Sequence, residues 1–141
     1  MKQMIRMFAV TLSLLPLFAA AQLPTDQKLV TDVPFEFVAA GKVVPAGQYT
    51  VLSAGSGIPA VQIMNTRDSI NLFSAAMLSN SKTASANYAL VFHKYGDRHF
   101  LAGIKVKGSK MITRLPETKA EAELRAQNAT ATEEILLTRL N

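Results

Sequence analysis

The chain has 141 residues, of which 15 are basic and 10 are acidic, and it contains no cysteine. The lack of cysteine excludes a small disulfide-built scaffold, and a chain of this size can bury a core without such cross-links. Removing Lys2 and Arg6 leaves a net charge of +3, so the rest of the chain lacks the large basic patch that nucleic-acid binding requires.

An export signal is predicted at the N terminus. Lys2 and Arg6 form a basic region, Met7–Phe18 is an apolar run, and Ala19–Ala21 is a small-residue cleavage site. The apolar run is shorter than the roughly 18–20 residues of a membrane-spanning helix, which disfavours an uncleaved anchor. We therefore expect residues 1–21 to be a signal peptide and residues 22–141 to be a single β-rich domain without a membrane span.

Short extended segments follow, each bounded by turn residues. Phe35 and Phe37 flank one polar residue, which is the period-2 pattern of a half-buried strand. Asn65–Asp68 joins two apolar runs and predicts a hairpin. The predicted strands in this half are Lys28–Val33, Phe35–Ala39, Lys42–Val44, Gln48–Leu52, Ala60–Met64 and Ser69–Phe73.

The segment Asn87–Val106 carries the strongest hairpin pattern, because apolar runs flank Gly96-Asp97, a pair suited to a two-residue type II′ turn. This loop opposes Tyr95 to Arg98, Lys94 to His99, His93 to Phe100 and Phe92 to Leu101. One face then carries Ala89, Val91, His93, Phe100, Ala102 and Ile104, and the other carries Tyr88, Leu90, Phe92 and Leu101. Both faces are largely apolar, which predicts a strand pair inside a sheet that is covered on each side.

The C-terminal part predicts a strand, a helix and a further strand. Met111–Leu115 is a short apolar run, and Pro116 begins a stretch of strong helix formers that reaches Gln127. Two pairs at i,i+4 spacing support the helix, and Asn128 suits its C-terminal cap; the pairs are Lys119–Glu123 and Glu121–Arg125. Glu134–Leu140 fits a helical turn or a strand, and its alternation favours the strand.

Strands with turn signals between them recur along the domain. This spacing predicts an all-β fold, an antiparallel β-sandwich or a partly closed barrel of about seven or eight strands, with one short C-terminal helix. The two architectures stay open at this point.

Three stretches, Val33–Val51, Leu90–Leu101 and Leu115–Gln127, resemble in order and spacing a group of small exported proteins that are abundant in acidobacterial genomes. The FHKYGDRHF motif within Leu90–Leu101 is the most specific part. The function of that group is unknown. The resemblance implies export, one compact domain and a strand after the helix, and it implies no catalytic residue.

The strongest candidate for chemistry is the central hairpin. His93, Asp97 and His99 are possible metal ligands, since imidazole and carboxylate groups form open zinc and iron sites. The predicted register points the two histidines to opposite faces, so we expect no metal and no cofactor. His93 should instead lie beside Phe100 with a satisfied ring nitrogen. The polar rim of the hairpin is a possible interaction surface; it consists of Lys94, Tyr95, Arg98 and His99.

No other catalytic pattern is present. The chain lacks a G-x-S-x-G elbow, a phosphate-binding glycine loop and an HExxH motif. Its carboxylates cluster in charged segments that we expect to be solvated, whereas acid–base catalysis needs a pair within a pocket. These carboxylates are Glu117, Glu121, Glu123, Glu133 and Glu134.

The sequence therefore predicts a non-enzymatic binding or interaction domain of the bacterial envelope, periplasmic or extracellular. Its expected partner is another protein, the cell surface or a glycan. A small barrel that carries an apolar or glycan ligand is the alternative. A hydrolase or metal enzyme centred on His93 is the third reading.

Overall fold

A computed structural model describes residues 27–54, 59–127 and 129–140. The predicted signal peptide and the predicted cap residue Asn128 lie outside these ranges. Within them the chain forms twelve β-strands and one α-helix. The all-β class with one short C-terminal helix is confirmed.

The strands form two sheets in a sandwich-like arrangement, in which β2 runs parallel to β9 and the other strand pairs are antiparallel. The first sheet contains, in spatial order, β12 (Arg139–Leu140), β1 (Gln27–Val33), β4 (Gly47–Ala54), β5 (Ala60–Asn65) and β6 (Ile70–Ala75). The second contains, in spatial order, β11 (Thr132–Leu137), β8 (Ala89–Tyr95), β9 (Arg98–Lys105), β10 (Met111–Arg114) and β7 (Met77–Asn80). In the same sheet, β2 (Phe37–Ala39) pairs with β9, and β3 (Lys42–Val44) pairs with β2.

Twelve strands exceed the predicted seven or eight because the chain changes sheets within extended segments. β6 borders the first sheet and β7 borders the second, with only Ala76 between them. In the same way, Thr138 separates β11 from β12, which lie in different sheets. Such passages at a sandwich border divide one extended segment into two short strands.

The main core lies between the two sheets, where alternate side chains of each strand point inward. Tyr49 and Phe92 are fully buried at its centre, and Phe37 contacts both, with ring centroids 5.0 and 5.4 Å away. The Tyr49 hydroxyl donates a hydrogen bond of 2.6 Å to the Pro45 carbonyl, so this buried polar group is satisfied.

The central hairpin has the predicted register from Tyr95–Arg98 to Phe92–Leu101. Gly96 has a φ of 58°, as the first central residue of a type II′ turn requires. Beyond Leu101 the prediction was wrong, because a β-bulge pairs Val91 with Gly103. Ile104 is therefore opposite Leu90 and joins the core between the sheets, not the face of His93.

Gly103 lies at the bulge where β9 changes its neighbour from β2 to β10. A Cβ atom at this position would lie 3.0 Å from the carbonyl oxygen of Thr113. The close approach of the two strands therefore depends on the missing side chain.

The helix α1 (Lys119–Ala126) begins later than predicted. Thr118 is its N-cap, and the Thr118 hydroxyl accepts a 3.2 Å hydrogen bond from the backbone N–H of Glu121. The hydroxyl cap sets the start of the helix, and Pro116 precedes it. The Lys119–Glu123 and Glu121–Arg125 pairs do not form; Arg125 instead pairs with Glu117, at 2.9 Å.

The outer face of the hairpin is covered by α1. Val38, Tyr95 and Phe100 form a second apolar cluster there, against Ala120 and Leu124 of the helix. The prediction that both faces of the hairpin are covered is thus confirmed, with the first sheet on one side and the helix on the other.

The turn between β2 and β3 contains a residue in an unfavourable conformation. Ala40 has a φ of 50° and Gly41 a φ of 77°. A Cβ atom costs about 1 kcal/mol in the left-handed region, where asparagine is tolerated better. Ala40→Asn should therefore raise the free energy of unfolding by about 0.5–1 kcal/mol in urea titrations. Ala84→Asn, at an exposed loop position with ordinary φ, is the control, and an equal gain there would contradict this reading.

Candidate functional site

The two histidines of the hairpin lie on opposite faces, as the register predicted. His93 is opposite Phe100, and His99 is opposite Lys94, so the two histidines belong to neighbouring cross-strand pairs. Neighbouring pairs point to opposite faces of a sheet. His93 points toward α1, and His99 points toward the inner side of β11. His93, Asp97 and His99 therefore do not converge, and no group of three metal-ligating side chains occurs within the described ranges.

Glu121 anchors α1 to the hairpin. It is only 5% exposed, and its Oε1 lies 2.6 Å from Nδ1 of His93 and 3.1 Å from the hydroxyl of Tyr95. A carboxylate only accepts hydrogen bonds, so Nδ1 and the hydroxyl are the donors. The first turn of the helix also favours the negative charge.

This arrangement fixes the orientation of the His93 ring. A carboxylate behind Nδ1 is the support that catalytic bases and metal-bound histidines use. Among the described residues, however, His93 makes no hydrogen bond to a hydroxyl that could act as a nucleophile. The cluster of Glu121, His93 and Tyr95 therefore fastens a helix to a sheet through hydrogen bonds.

His99 is held at the inner border of the second sheet. Its ring stacks on Phe35 with a centroid distance of 3.7 Å, and Nε2 lies 3.1 Å from Oε2 of Glu134 on β11. Nε2 is the donor, because the carboxylate can only accept. Nδ1 of His99 is buried and has no hydrogen-bond partner among the described residues.

Two of the four residues of the predicted interaction rim are buried in the structure. Tyr95 and His99 are both 8% exposed, so they are not part of a solvated rim. Tyr95 belongs to the cluster that packs against α1, and His99 stacks on Phe35. Lys94 is half-buried and Arg98 is exposed. The Arg98 guanidinium lies over the Phe100 ring, 5.2 Å from its centroid.

The expectation that every carboxylate of the C-terminal region is solvated was wrong for Glu121. Ala120, Glu121 and Leu124 lie on one stripe of α1, because residues three and four apart are neighbours on a helix. The apolar residues of this stripe indicated that the stripe is buried. A glutamate on such a stripe is nevertheless normally expected to be solvated. The sequence contained a similar sign for Glu134, because Glu134 and Leu136 are two residues apart and lie on the same, inner side of β11.

The borders of the sandwich expose large apolar side chains. Within the described part of the chain, no strand pairs with the outer sides of β6, β7, β11 or β12. Phe73 on β6 is 66% exposed and Met77 on β7 is 60% exposed. β6 contains no charged residue and no proline, the features that usually protect a border strand from pairing.

Phe73 also forms a wall of an open groove of about 330 Å³. The turn Ala40–Gly41 and the segment Pro116–Lys119 form its other walls. Another surface concavity, of about 360 Å³, lies beside Thr138 at the opposite border. Sequence reasoning missed this site because the exposure of Phe73 depends on the order of strands in the sheet.

Two buried tyrosines make stability sensitive to alkaline pH. Burial, with Asp68 nearby, raises the pKa of Tyr49 above its usual 10.0, and burial together with the Glu121 carboxylate raises that of Tyr95. The folded state then holds these protons more tightly than the unfolded state, so their contribution is complete below pH 10 and is lost as pH rises through the folded pKa values.

We therefore expect the free energy of unfolding to fall between about pH 9 and about pH 11. Urea titrations at both values measure the change. The Tyr49→Phe, Tyr95→Phe double variant should show a smaller fall, and an equal fall would contradict the assignment.

No protein-family model matches the chain, and no curated protein or solved structure is significantly similar to it. In residues 27–54, 59–127 and 129–140, no helix is both long and apolar enough to cross a membrane. The features that bear on function are therefore the free sheet borders, the groove beside Phe73 and the surroundings of the central hairpin.

Proposed function

We propose that the protein is a non-enzymatic, exported interaction domain that binds an extended segment of a partner protein along β6. The observation that carries this proposal is the exposed Phe73 on a border strand without charge or proline. An unpaired strand offers its backbone N–H and C=O groups to another strand, and alternate side chains then supply specificity.

The surroundings of Phe73 fit this mode of binding. The groove beside it has room for an apolar side chain of the added segment, between the Ala40–Gly41 turn and Pro116. Met77 and Leu78 on β7, which follows β6 after Ala76, are also exposed, at 60% and 48%. Large exposed apolar side chains on unpaired border strands favour a contact site.

A displayed library of linear peptides tests the binding proposal. We expect selected peptides to carry alternating apolar residues, and Phe73→Glu should weaken their binding by about tenfold. Val43→Glu is the matched control, since Val43 is 61% exposed on another strand. Failure to select any peptide, or equal binding by the Phe73→Glu variant, would contradict the proposal.

Export is the second part of the proposal and has its own test. The basic, apolar and small-residue regions of Met1–Ala21 support it, as does the resemblance to small exported proteins. When the full chain is expressed in a bacterium, we expect the intact mass of the exported protein to begin at Gln22. An uncleaved chain retained in the cytoplasm would refute this part and leave the binding site unaffected.

A further inference from the structure

The border strand β11 leaves one row of its backbone groups free. The backbone N–H of Thr138, just after β11, donates a hydrogen bond to the Tyr88 carbonyl beside β8. Successive residues of a strand direct these groups to alternate sides. Leu136 therefore also faces β8, whereas the N–H and C=O groups of Ile135 and Leu137 face away from it. Across the ranges that the structure describes, no strand occupies that outer side, so it is open to a strand from another chain.

The exposed side chains of this border segment form a row along the outer face of the second sheet. They alternate with partly buried residues and are Glu133, Ile135, Leu137 and Arg139. Ile135 and Leu137 are 43% and 62% exposed. The row thus has a negative charge at its start, two large apolar side chains in its middle and a positive charge at its end. Such an order is complementary to its own reverse.

Two antiparallel copies of this row fit each other when a two-fold axis passes between their Leu136 residues. Glu133 then lies opposite Arg139 of the second copy. Ile135 lies opposite Leu137 of the second copy, so backbone groups that face outward meet on both strands and can form hydrogen bonds. Opposite charges and apolar side chains that face each other across two strands both stabilise the pairing.

Neighbouring registers lack this complementarity. A two-fold axis at Ile135 would place Glu133 opposite Leu137, and an axis at Leu137 would place Ile135 opposite Arg139. Each of these arrangements sets a charged group against an apolar side chain. The charge pattern therefore favours the axis at Leu136.

We propose that the protein forms a symmetric dimer in which the β11 strands of two copies pair antiparallel about Leu136. The second sheets of the two copies then join into one continuous sheet, and by symmetry each cross-strand pair occurs twice. One pair of short strands buries less surface than most stable interfaces do. We therefore expect a weak dimer, with a Kd of about 10 μM.

Sedimentation velocity of the purified protein tests for the dimer. We expect mostly monomer at about 1 μM and mostly dimer at about 200 μM. Hydrogen exchange at the higher concentration should newly protect the amides of Ile135 and Leu137, whereas that of Leu136 is protected at both concentrations. A monomer at about 200 μM, or a dimer without this added protection, would overturn the proposal.

Two charge-reversing variants test the register. Arg139→Glu sets a carboxylate opposite Glu133, and Glu133→Arg sets a guanidinium opposite Arg139, so each should weaken self-association at least about tenfold. Glu133→Arg also removes an ion pair of 3.6 Å with Lys105, which is too exposed to contribute much to the fold. Amide spectra of both variants confirm that they are folded.

An equal mixture of the two variants restores opposite charges at both ends of the pairing. A heterodimer should therefore form with nearly the affinity of the original dimer. Its absence, with both variants folded, would overturn the proposal, as would unaltered self-association of either variant alone.

Two controls separate this contact from other causes of self-association. Arg67→Glu makes the same change of charge at an exposed residue of the turn between β5 and β6 and should leave the Kd unchanged, as should Phe73→Glu. An equal weakening by Arg67→Glu would indicate a general effect of charge, and loss of the dimer with Phe73→Glu would assign it to β6; either result would overturn the proposal. Because β11 and β6 lie at opposite borders, failure of this proposal leaves the binding of peptides along β6 standing.

Discussion

Glu121→Ala should lower the free energy of unfolding by about 2–3 kcal/mol. The substitution removes the shared acceptor of His93 and Tyr95 and leaves the Tyr95 hydroxyl buried without its partner. It also removes the polar contact that fastens α1 to the second sheet. Urea unfolding measures the loss, and hydrogen exchange should show the amides of α1 opening first.

The matched control for this prediction is Glu123→Ala, on the exposed side of the same helix. Both substitutions replace a glutamate by alanine within α1, so their helix propensities cancel. Glu123→Ala should change stability by no more than about 0.5 kcal/mol. Equal effects of the two substitutions would mean that the contacts of Glu121 contribute little to stability.

Phe92→Ala should have a larger effect, a loss of about 3–5 kcal/mol. The Phe92 ring is fully buried, and its centroid lies 5.1 Å from Phe35 and 5.4 Å from Phe37 in edge-to-face geometry. Alanine leaves a cavity between the sheets and removes both aromatic contacts. Thermal and urea unfolding both report the loss.

Phe73→Ala is the control for this prediction, because Phe73 is 66% exposed. The same change of side chain there should alter stability by less than about 0.5 kcal/mol. A loss at Phe73 comparable to that at Phe92 would contradict the assignment of Phe73 to a free surface. It would also weaken the proposal that Phe73 belongs to a binding site.

The parts of the fold that could be predicted from the sequence are those that depend on neighbouring residues. The Gly96-Asp97 turn is local, and a two-residue loop determines the register of the strands beside it. The opposite orientation of His93 and His99 follows from that register. The alternation of Ile135 and Leu137 likewise predicted a strand at Glu134–Leu140, where the structure has β11 and, after Thr138, β12.

The bulge after Leu101 depends on contacts that are distant in sequence. β9 pairs with β2 in its first half and with β10 in its second half. An extra residue on β9 accommodates the change of neighbour, and the hairpin sequence gives no sign of it. This is why Ile104 was placed on the wrong face.

Among the candidate site residues, the geometry of the hairpin was predictable and its partners were not. Glu121 lies 28 residues after its partner His93, and Glu134 lies 35 residues after its partner His99. Pattern reading treats a glutamate as solvated unless a partner is known, because an unpaired buried charge is costly. The partner became known only when the helix and β11 were placed on the sheet.

The passages of the chain through Ala76 and Thr138 have a mechanical consequence. On each side of the sandwich, one continuous backbone segment forms a border strand of both sheets, so neither sheet can move away without breaking strand pairing in the other. We therefore expect the two sheets to unfold together in one cooperative step, and only α1 can detach before it. The amide protons of β4 in the first sheet and of β8 in the second should exchange at the same rate in the EX1 regime, in which complete unfolding limits the rate of exchange.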